Sequence, residues 1–457
     1  MVDLRDGLEW TESVVTSKPR WTKELALEAV QALVQSKLNE EPDVKVTFLS
    51  EGAFNKLYVV ESGSGLNSIV RVSLPVDPQY KTLSEVATLE FVRLETSIPV
   101  PKPIAFDARP HDGFQFEWIL MDRMPGQALH DVWRALSWEA KIAIVKTVAE
   151  YLADLNKTRF PSIGNLNSES YISQEGIILL SIICTHCMRI PTDDPVRPLN
   201  APTVLSAMSD RLCALPTSIV YRTSSFPFFW SYHFDMDVPR GPFTCSRDWL
   251  ESQLLLHAND AERMLAAAKD EENAEEAKTL QHIVQRLQQH LLTFFPPEED
   301  GLEEYTLHHH DISSQNLLVD KEGHLTALVD WECVSTVPVY KTAEWPDFLA
   351  GPDSEFEDYP DRKNYAEVDG SVDGNIIYQE HVLEYELTKL RPIFLEHIAK
   401  VFPNWVKINE DDRLRRKADF EFAVQGCASY LFWSDIQEWL DSMENGDYYN
   451  LKILTYV

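Results

Sequence analysis

The sequence predicts an α+β chain in two unequal parts, a small strand-rich lobe followed by a larger, mainly helical one. Three observations carry this. Short β-type runs follow one another at 45–50, 56–62 and 68–74, separated by turn-length gaps. Helical periodicity dominates later, over 137–156, 248–267, 273–294 and 414–439. One strand-rich island, 304–334, interrupts the helical part.

Taken in order, residues 1–44 read as an N-terminal helical extension. Leu25, Ala29, Val30, Leu33, Val34 and Leu38 recur at helical spacing over 21–39. "EGAF" links the first two strands and "GSGLN" (63–67) the second pair, so the three form an antiparallel meander. A helix is predicted over 81–96, striped by Leu83, Val86, Ala87, Phe91 and Leu94, and the prolines of "IPVPKP" end it. "FEWILMDRMPG" (116–126) is a strand running into a turn. It divides a first lobe, 45–124, from a second, 125–457. Within the second, 168–215 shows no clear period and reads as an insertion. Residues 351–375 are acidic and rich in turn formers, as an exposed loop would be.

Composition narrows the function. A chain of 457 residues, 44% hydrophobic, is long enough for two or three packed units. Its 73 Asp and Glu against 41 Lys and Arg give a formal charge of −32, which disfavours nucleic acid and anionic membranes and favours cationic ligands. Six scattered cysteines make no disulfide framework and fit a reducing, intracellular compartment. "MVDLRDGLEW" has neither the apolar stretch of a secretory signal nor the basic character of a mitochondrial presequence. The longest apolar run, "IILLSIIC" (177–184), is far short of the roughly 18 residues that a membrane span needs. A soluble, cytoplasmic protein is expected.

The chemistry lies in "LHHHDISSQNLLVD" (307–320) and the "LTALVD" that follows (325–330). The tetrad "KEGH" between two apolar runs predicts a β-hairpin turning at Gly323. A turn centred there sets Asn316 opposite Asp330, and cross-strand neighbours lie roughly 4.5–5.5 Å apart at Cβ. An amide oxygen and a carboxylate pointing into one space suit Mg²⁺, which takes few protein ligands plus water and phosphate oxygens. Asp311, on the loop entering the hairpin, is placed to orient and deprotonate a hydroxyl beside that ion. The three histidines do not make a metal cluster, because successive strand residues point to opposite faces.

"HHDISSQN" followed by "VDWE" resembles the catalytic and metal-binding loops of the aminoglycoside phosphotransferase-like kinases, which include choline kinases and fungal members. The resemblance implies a bilobal protein-kinase-like fold. It also implies ATP and Mg²⁺ as cofactors and a small-molecule hydroxyl as phosphate acceptor, and by family analogy it keeps a mitochondrial location open beside the cytoplasmic one. By it Asp311 is the catalytic base, His309 braces the loop, and Asn316 and Asp330 hold Mg²⁺. "LSEGAFNKLYVVES" is similar to the strand–turn–strand that covers the phosphates, through Gly52, Ala53, Phe54 and Asn55. Arg71 stands where protein kinases place their phosphate-pairing lysine, and the family spacing makes Glu85 its helical partner. The apolar stripe instead contains Glu90. Met121, Asp122 and Met124 fall on the nucleotide hinge.

Two departures matter. The glycine-rich loop G-x-G-x-x-G is reduced to Gly52, and Arg71 replaces lysine with a group of different reach. They motivate a second reading, a nucleotide-binding pseudokinase or scaffold. A third, an atypical protein kinase, is opposed by the short span from Asp330 to Asp347. Cys184 and Cys187 form a lone C-x-x-C, without the partners of a zinc site or the setting of a redox motif. "FPFFWSYHF" (226–234) reads as core, or as the wall of a pocket able to hold a cationic amine by cation–π contact.

Overall fold

A computed structural model describes residues 4–12, 17–38, 43–63, 65–109, 114–168, 218–368 and 370–451. Cys184, Cys187 and nearly all of 168–215 lie outside the described residues. The chain does not open on a helix. Strands β1 (Leu8–Glu12) and β2 (Ser17–Trp21) pair as an antiparallel hairpin. Trp10 packs on Trp230 with ring centroids 5.0 Å apart, and Trp21 on Phe116 at 4.9 Å. Docking those rings outweighs the extra helical turn that periodicity suggested, so helix α1 (Leu27–Lys37) starts six residues late.

Strands β3 (Lys45–Glu51), β4 (Asn55–Glu61) and β5 (Asn67–Ser73) form the expected meander. Helix α2 (Tyr80–Glu95) follows, then β6 (Pro103–Asp107) and β7 (Glu117–Asp122). The sheet order is β3-β4-β5-β7-β6. The two-residue period of a strand sorts its faces. Val70 and Val72 of β5, with Trp118 and Leu120 of β7, pack with Val30, Leu33 and Val34 of α1. The alternate residues, Ile69, Arg71 and Met121 among them, face the other way. There Val86, Ala87, Leu89 and Val92 of α2 join a core that continues into the helical lobe. Arg71 is thereby aimed at the space between the lobes.

The larger lobe contains, in order, β8 (Gln127–Ala128), α3 (Trp138–Leu155), β9 (Gly164–Ser168), β10 (Ser218–Tyr221), α4 (Ser246–Ala267) and α5 (Glu271–Phe294). Next come β11 (Tyr305–His308), β12 (Leu317–Val319), β13 (Leu325–Leu328) and β14 (Ser335–Pro338). Helices α6 (Ile376–Val401), α7 (Pro403–Glu410), α8 (Asp412–Gly426) and α9 (Trp433–Glu444) close it. Helix starts carry the caps that their sequences offer: Ser137 Oγ accepts from Ala140 N at 3.1 Å, and Asp270 Oδ1 from Asn273 N at 2.8 Å. The single helix expected over 414–439 is two, broken after Gly426. Helix α6 escapes the periodicity reading because Pro392 lies inside it. Among the described residues, no helix is long and apolar enough to cross a membrane.

A strand-rich small lobe on a helical large lobe is the α+β, bilobal kinase-like arrangement that the sequence predicts. The lobes meet at a small apolar cluster of Phe54, Leu74, Val76, Phe229 and Cys333.

Candidate active site

Strand β11 delivers the chain to the loop 309–316, which local hydrogen bonds shape. Asn316 Nδ2 donates to Asp311 Oδ2 at 2.8 Å and to the Asp311 carbonyl at 3.0 Å. Both partners are acceptors, so the amide nitrogen faces Asp311 and the amide oxygen turns away. His309 is buried and bridges two segments: Asp311 N donates to its Nδ1 at 3.3 Å, and Nε2 lies 3.3 Å from the Val329 carbonyl. Its ring stands edge-on to Trp331 at 4.7 Å. Burial, with His310 adding to it, holds the imidazole neutral, its pKa pushed down to about 3. Asp311 itself is exposed on the cleft side of this brace. Asp347 accepts from Ile312 N–H, and burial and then Asp311 raise its pKa to about 6.

The hairpin exists, but its register differs from the expected one. Leu317 faces Leu328 and Leu318 faces Ala327, and a bulge after Leu318 then sets Val319 opposite Leu325. Val329, not Asp330, lies across from Asn316, its N–H donating to the Asn316 carbonyl at 2.9 Å. The turn spans Asp320–His324, one residue off the assumed centre, with Asp320 N donating to His324 O at 3.0 Å. Gly323 has φ +86°, and a Cβ there would lie 2.8 Å from that of Ala140. Asp330 reaches the cleft by leaving the ladder: its φ is +66°, a costly left-handed conformation for a residue with a side chain.

Between the lobes lies a charge network built from four separate elements. Arg71, 5% exposed, ion-pairs with Glu85 of α2 and, through Nη1, with Asp330 Oδ1 at 3.1 Å. Glu90 is not in this network. Two residues that sequence reasoning passed over complete it. Lys81, 2% exposed, holds Glu332 Oε2 at 2.6 Å, and Asn55 Nδ2 donates to the same oxygen at 2.8 Å. Ser73 Oγ donates to Asn55 Oδ1 at 2.8 Å. Glu332 is the last residue of the "VDWE" already singled out, and Lys81 opens the predicted helix; nothing local marks either as a partner of the other.

Two cations thus face three carboxylates. Burial alone would raise the Glu332 pKa, but Lys81 and Arg71 overcome it and hold the group well below the carboxylate range. Asp330 moves the opposite way, raised by desolvation and then by Glu332, with Arg71 opposing. Its side chain keeps 40% of its surface open at the cleft floor, although protein surrounds it elsewhere. Among the described residues, no group of three or more His, Cys, Asp or Glu side chains is arranged to hold a metal ion by itself. The Asn316 amide oxygen and the Asp330 carboxylate are hard-oxygen groups of the kind that would fit a divalent ion keeping most of its water.

The turn 52–55 is pinned rather than open. Gly52 N donates to Asn55 O at 2.9 Å. The buried Phe54 ring meets Phe226, Phe229 and Trp230 at 5.6, 5.8 and 6.0 Å. Ala53 lies beside it, exposed. On the segment predicted to be the hinge, Met121 is core, Asp122 is exposed and Met124 half-buried. The N–H groups of Asp122 and Arg123 are engaged by Lys102 O at 3.0 Å and Asn67 O at 3.3 Å.

Comparison with known proteins agrees in kind. The APH family, described as "Phosphotransferase enzyme family", matches residues 45–340. A subtelomeric hrmA-associated cluster protein of Aspergillus fumigatus is 24% identical over 322 residues, 66% of this chain and 59% of that protein. The mitochondrial "altered inheritance of mitochondria protein 9" of Lachancea thermotolerans is 22% identical over 354 residues, 70% of this chain and 53% of that one. The chain therefore spans little more than half the length of these relatives. Of solved structures, a putative fructosamine-3-kinase from Thermobifida fusca gives a TM-score of 0.42 at 14% identity, covering 92% of this chain and 99% of the other. An amicoumacin kinase gives 0.40 at 12%, covering 94% and 100%. With more than half its length inside the matched family span, the chain belongs to the phosphotransferase enzyme family.

Proposed function

We propose that the protein is a Mg²⁺–ATP-dependent kinase of a small-molecule hydroxyl. The observation that carries this is the exposed Asp311 carboxylate, fixed by Asn316 at 2.8 Å and by the His309 brace. Asp311 accepts the acceptor's proton as its oxygen attacks the γ-phosphate. Asn316 and Asp330 hold the divalent ion, which when bound neutralises phosphate charge. Arg71, held by Glu85, would pair with phosphate oxygens, and Asp330 would serve as a ligand to the ion. The turn 52–55 covers the phosphates. With the Asp122 and Arg123 N–H groups engaged, Met124 is left to meet the adenine. The small lobe, 45–124, carries the nucleotide; the remainder, 125–457, carries catalysis and the acceptor.

Such a site works by positioning and charge neutralisation. The test is a cell-extract screen for ATP-dependent gain of one phosphate, with Asp311→Asn as control. Asp311-dependent phosphorylation of a small molecule supports the reading. Phosphate on protein alone supports an atypical protein kinase, and nucleotide binding without turnover a scaffold. The relatives named as mitochondrial make organelle fractionation the test of the expected cytoplasmic location.

A further inference from the structure

A cavity of about 1440 Å³ opens beside the loop, its wall reaching His308 and His310, the latter next to Asp311. It exceeds the roughly 300–1,000 Å³ of ordinary small-molecule pockets, so it has room for several fused rings. The surface that it exposes is mostly apolar, and Phe226, Trp230, Trp249 and Trp433 contribute to it.

Its charge is internally balanced. Two carboxylates line it among the described residues, Asp260 and Glu344. Asp260 meets His233 Nε2 at 2.8 Å, His257 Nδ1 at 3.3 Å and the Tyr232 hydroxyl. Burial would raise its pKa, yet the two histidines hold it below the usual carboxylate range. Glu344 lies 3.4 Å from Lys341 Nζ and 3.6 Å from His308 Nε2. A polycation entering here would find its counter-charges already taken and would lose its hydration besides.

The unmet groups are a carboxamide and one imidazole nitrogen. Gln253, 1% exposed, has no partner for either Oε1 or Nε2 among the described residues, and His257, 2% exposed, has none for Nε2. They sit four apart on α4, hence on one face, and both line the cavity. With Nδ1 turned to Asp260, Nε2 of His257 is the ring nitrogen left for a ligand group. Buried polar groups are left unpaired rarely and at a cost, so together these atoms mark where a ligand group docks.

We propose that the acceptor is an uncharged, largely aromatic or polycyclic alcohol. Its phosphorylated hydroxyl lies toward Asp311, and a second hydroxyl or amide bonds to Gln253 and His257. This rests on the kinase reading but is tested apart from it, by equilibrium binding without nucleotide. The probes are estradiol, a neutral polycyclic diol; 4-hydroxyphenylethanol; kanamycin, a polycation; and glucose, a neutral polyol. The expected result is binding of the two aromatic probes, estradiol the tighter, and none of kanamycin or glucose. Gln253→Leu weakens estradiol about fivefold or more, the loss of one net hydrogen bond. Ala267→Trp, at an exposed wall position, obstructs the cavity without disturbing the core and weakens both aromatic probes.

Failure of both aromatic probes to bind, preference for kanamycin or glucose, or indifference to both substitutions overturns the proposal. Asp311-dependent ATP turnover that survives such a result leaves the kinase reading standing with a different acceptor. Aromatic binding without any such turnover does the reverse.

Discussion

The two walls of the cleft are built in opposite ways. The Asp311 wall is local: six consecutive positions, a brace from His309 and one amide fix it. The Arg71 wall is assembled across the chain, with Arg71 and Asp330 meeting over a separation of 259 residues. A local wall fails by losing one group. An assembled wall fails when a buried charge loses its partner, and it then takes the packing of the lobes with it.

The largest expected effect tests the local wall. Asp311→Asn leaves the loop folded but removes the proton acceptor, and turnover falls by about 10²–10⁴ with an unchanged melting temperature. Lys81→Met tests the assembled wall. It leaves Glu332 buried with only Arg71 and Asn55, and denaturant unfolding is expected to show a loss of about 3 kcal/mol.

Glu117 sharpens the contrast through pH. It anchors α2 by accepting Gln79 N at 2.7 Å, and burial, opposed by Thr82, raises its pKa to about 7. The folded state then holds this proton more tightly than the unfolded one. Its contribution to stability therefore falls as pH rises from about 4.5 to about 7, by up to about 3 kcal/mol. Glu117→Gln keeps an acceptor and flattens that slope, read from denaturant midpoints at pH 5 and pH 8. The smallest effect belongs to the turn that sets the local wall. Gly323→Ala, at positive φ and against Ala140, costs about 1–2 kcal/mol in the same assay.

The same division explains what could be read in advance. Strands β3, β4 and β5 and helix α2 follow from local period and spacing, and the loop 309–316 is marked out by its motif. Asp311, Asn316 and Arg71 lie at positions that strand alternation and a five-residue loop impose. The exact facing of Asn316 and Asp330 was not legible, because a bulge and one left-handed residue are invisible to a pairing rule that assumes a regular ladder. Lys81 and Glu332 were missed for another reason. Each is an ordinary charged residue beside an apolar run, and only tertiary packing removes both from water and makes them partners. Trp10 and Trp21 likewise overrode helical periodicity through contacts distant in sequence.

The plug formed by Phe54 joins the two halves of the reaction. Phe226 and Trp230 touch that ring and also line the aromatic cavity. A guest that moves either side chain therefore presses on the turn 52–55, proposed above to cover the nucleotide's phosphates. Thermodynamic reciprocity requires the converse, so whichever reactant arrives first alters the welcome given to the second.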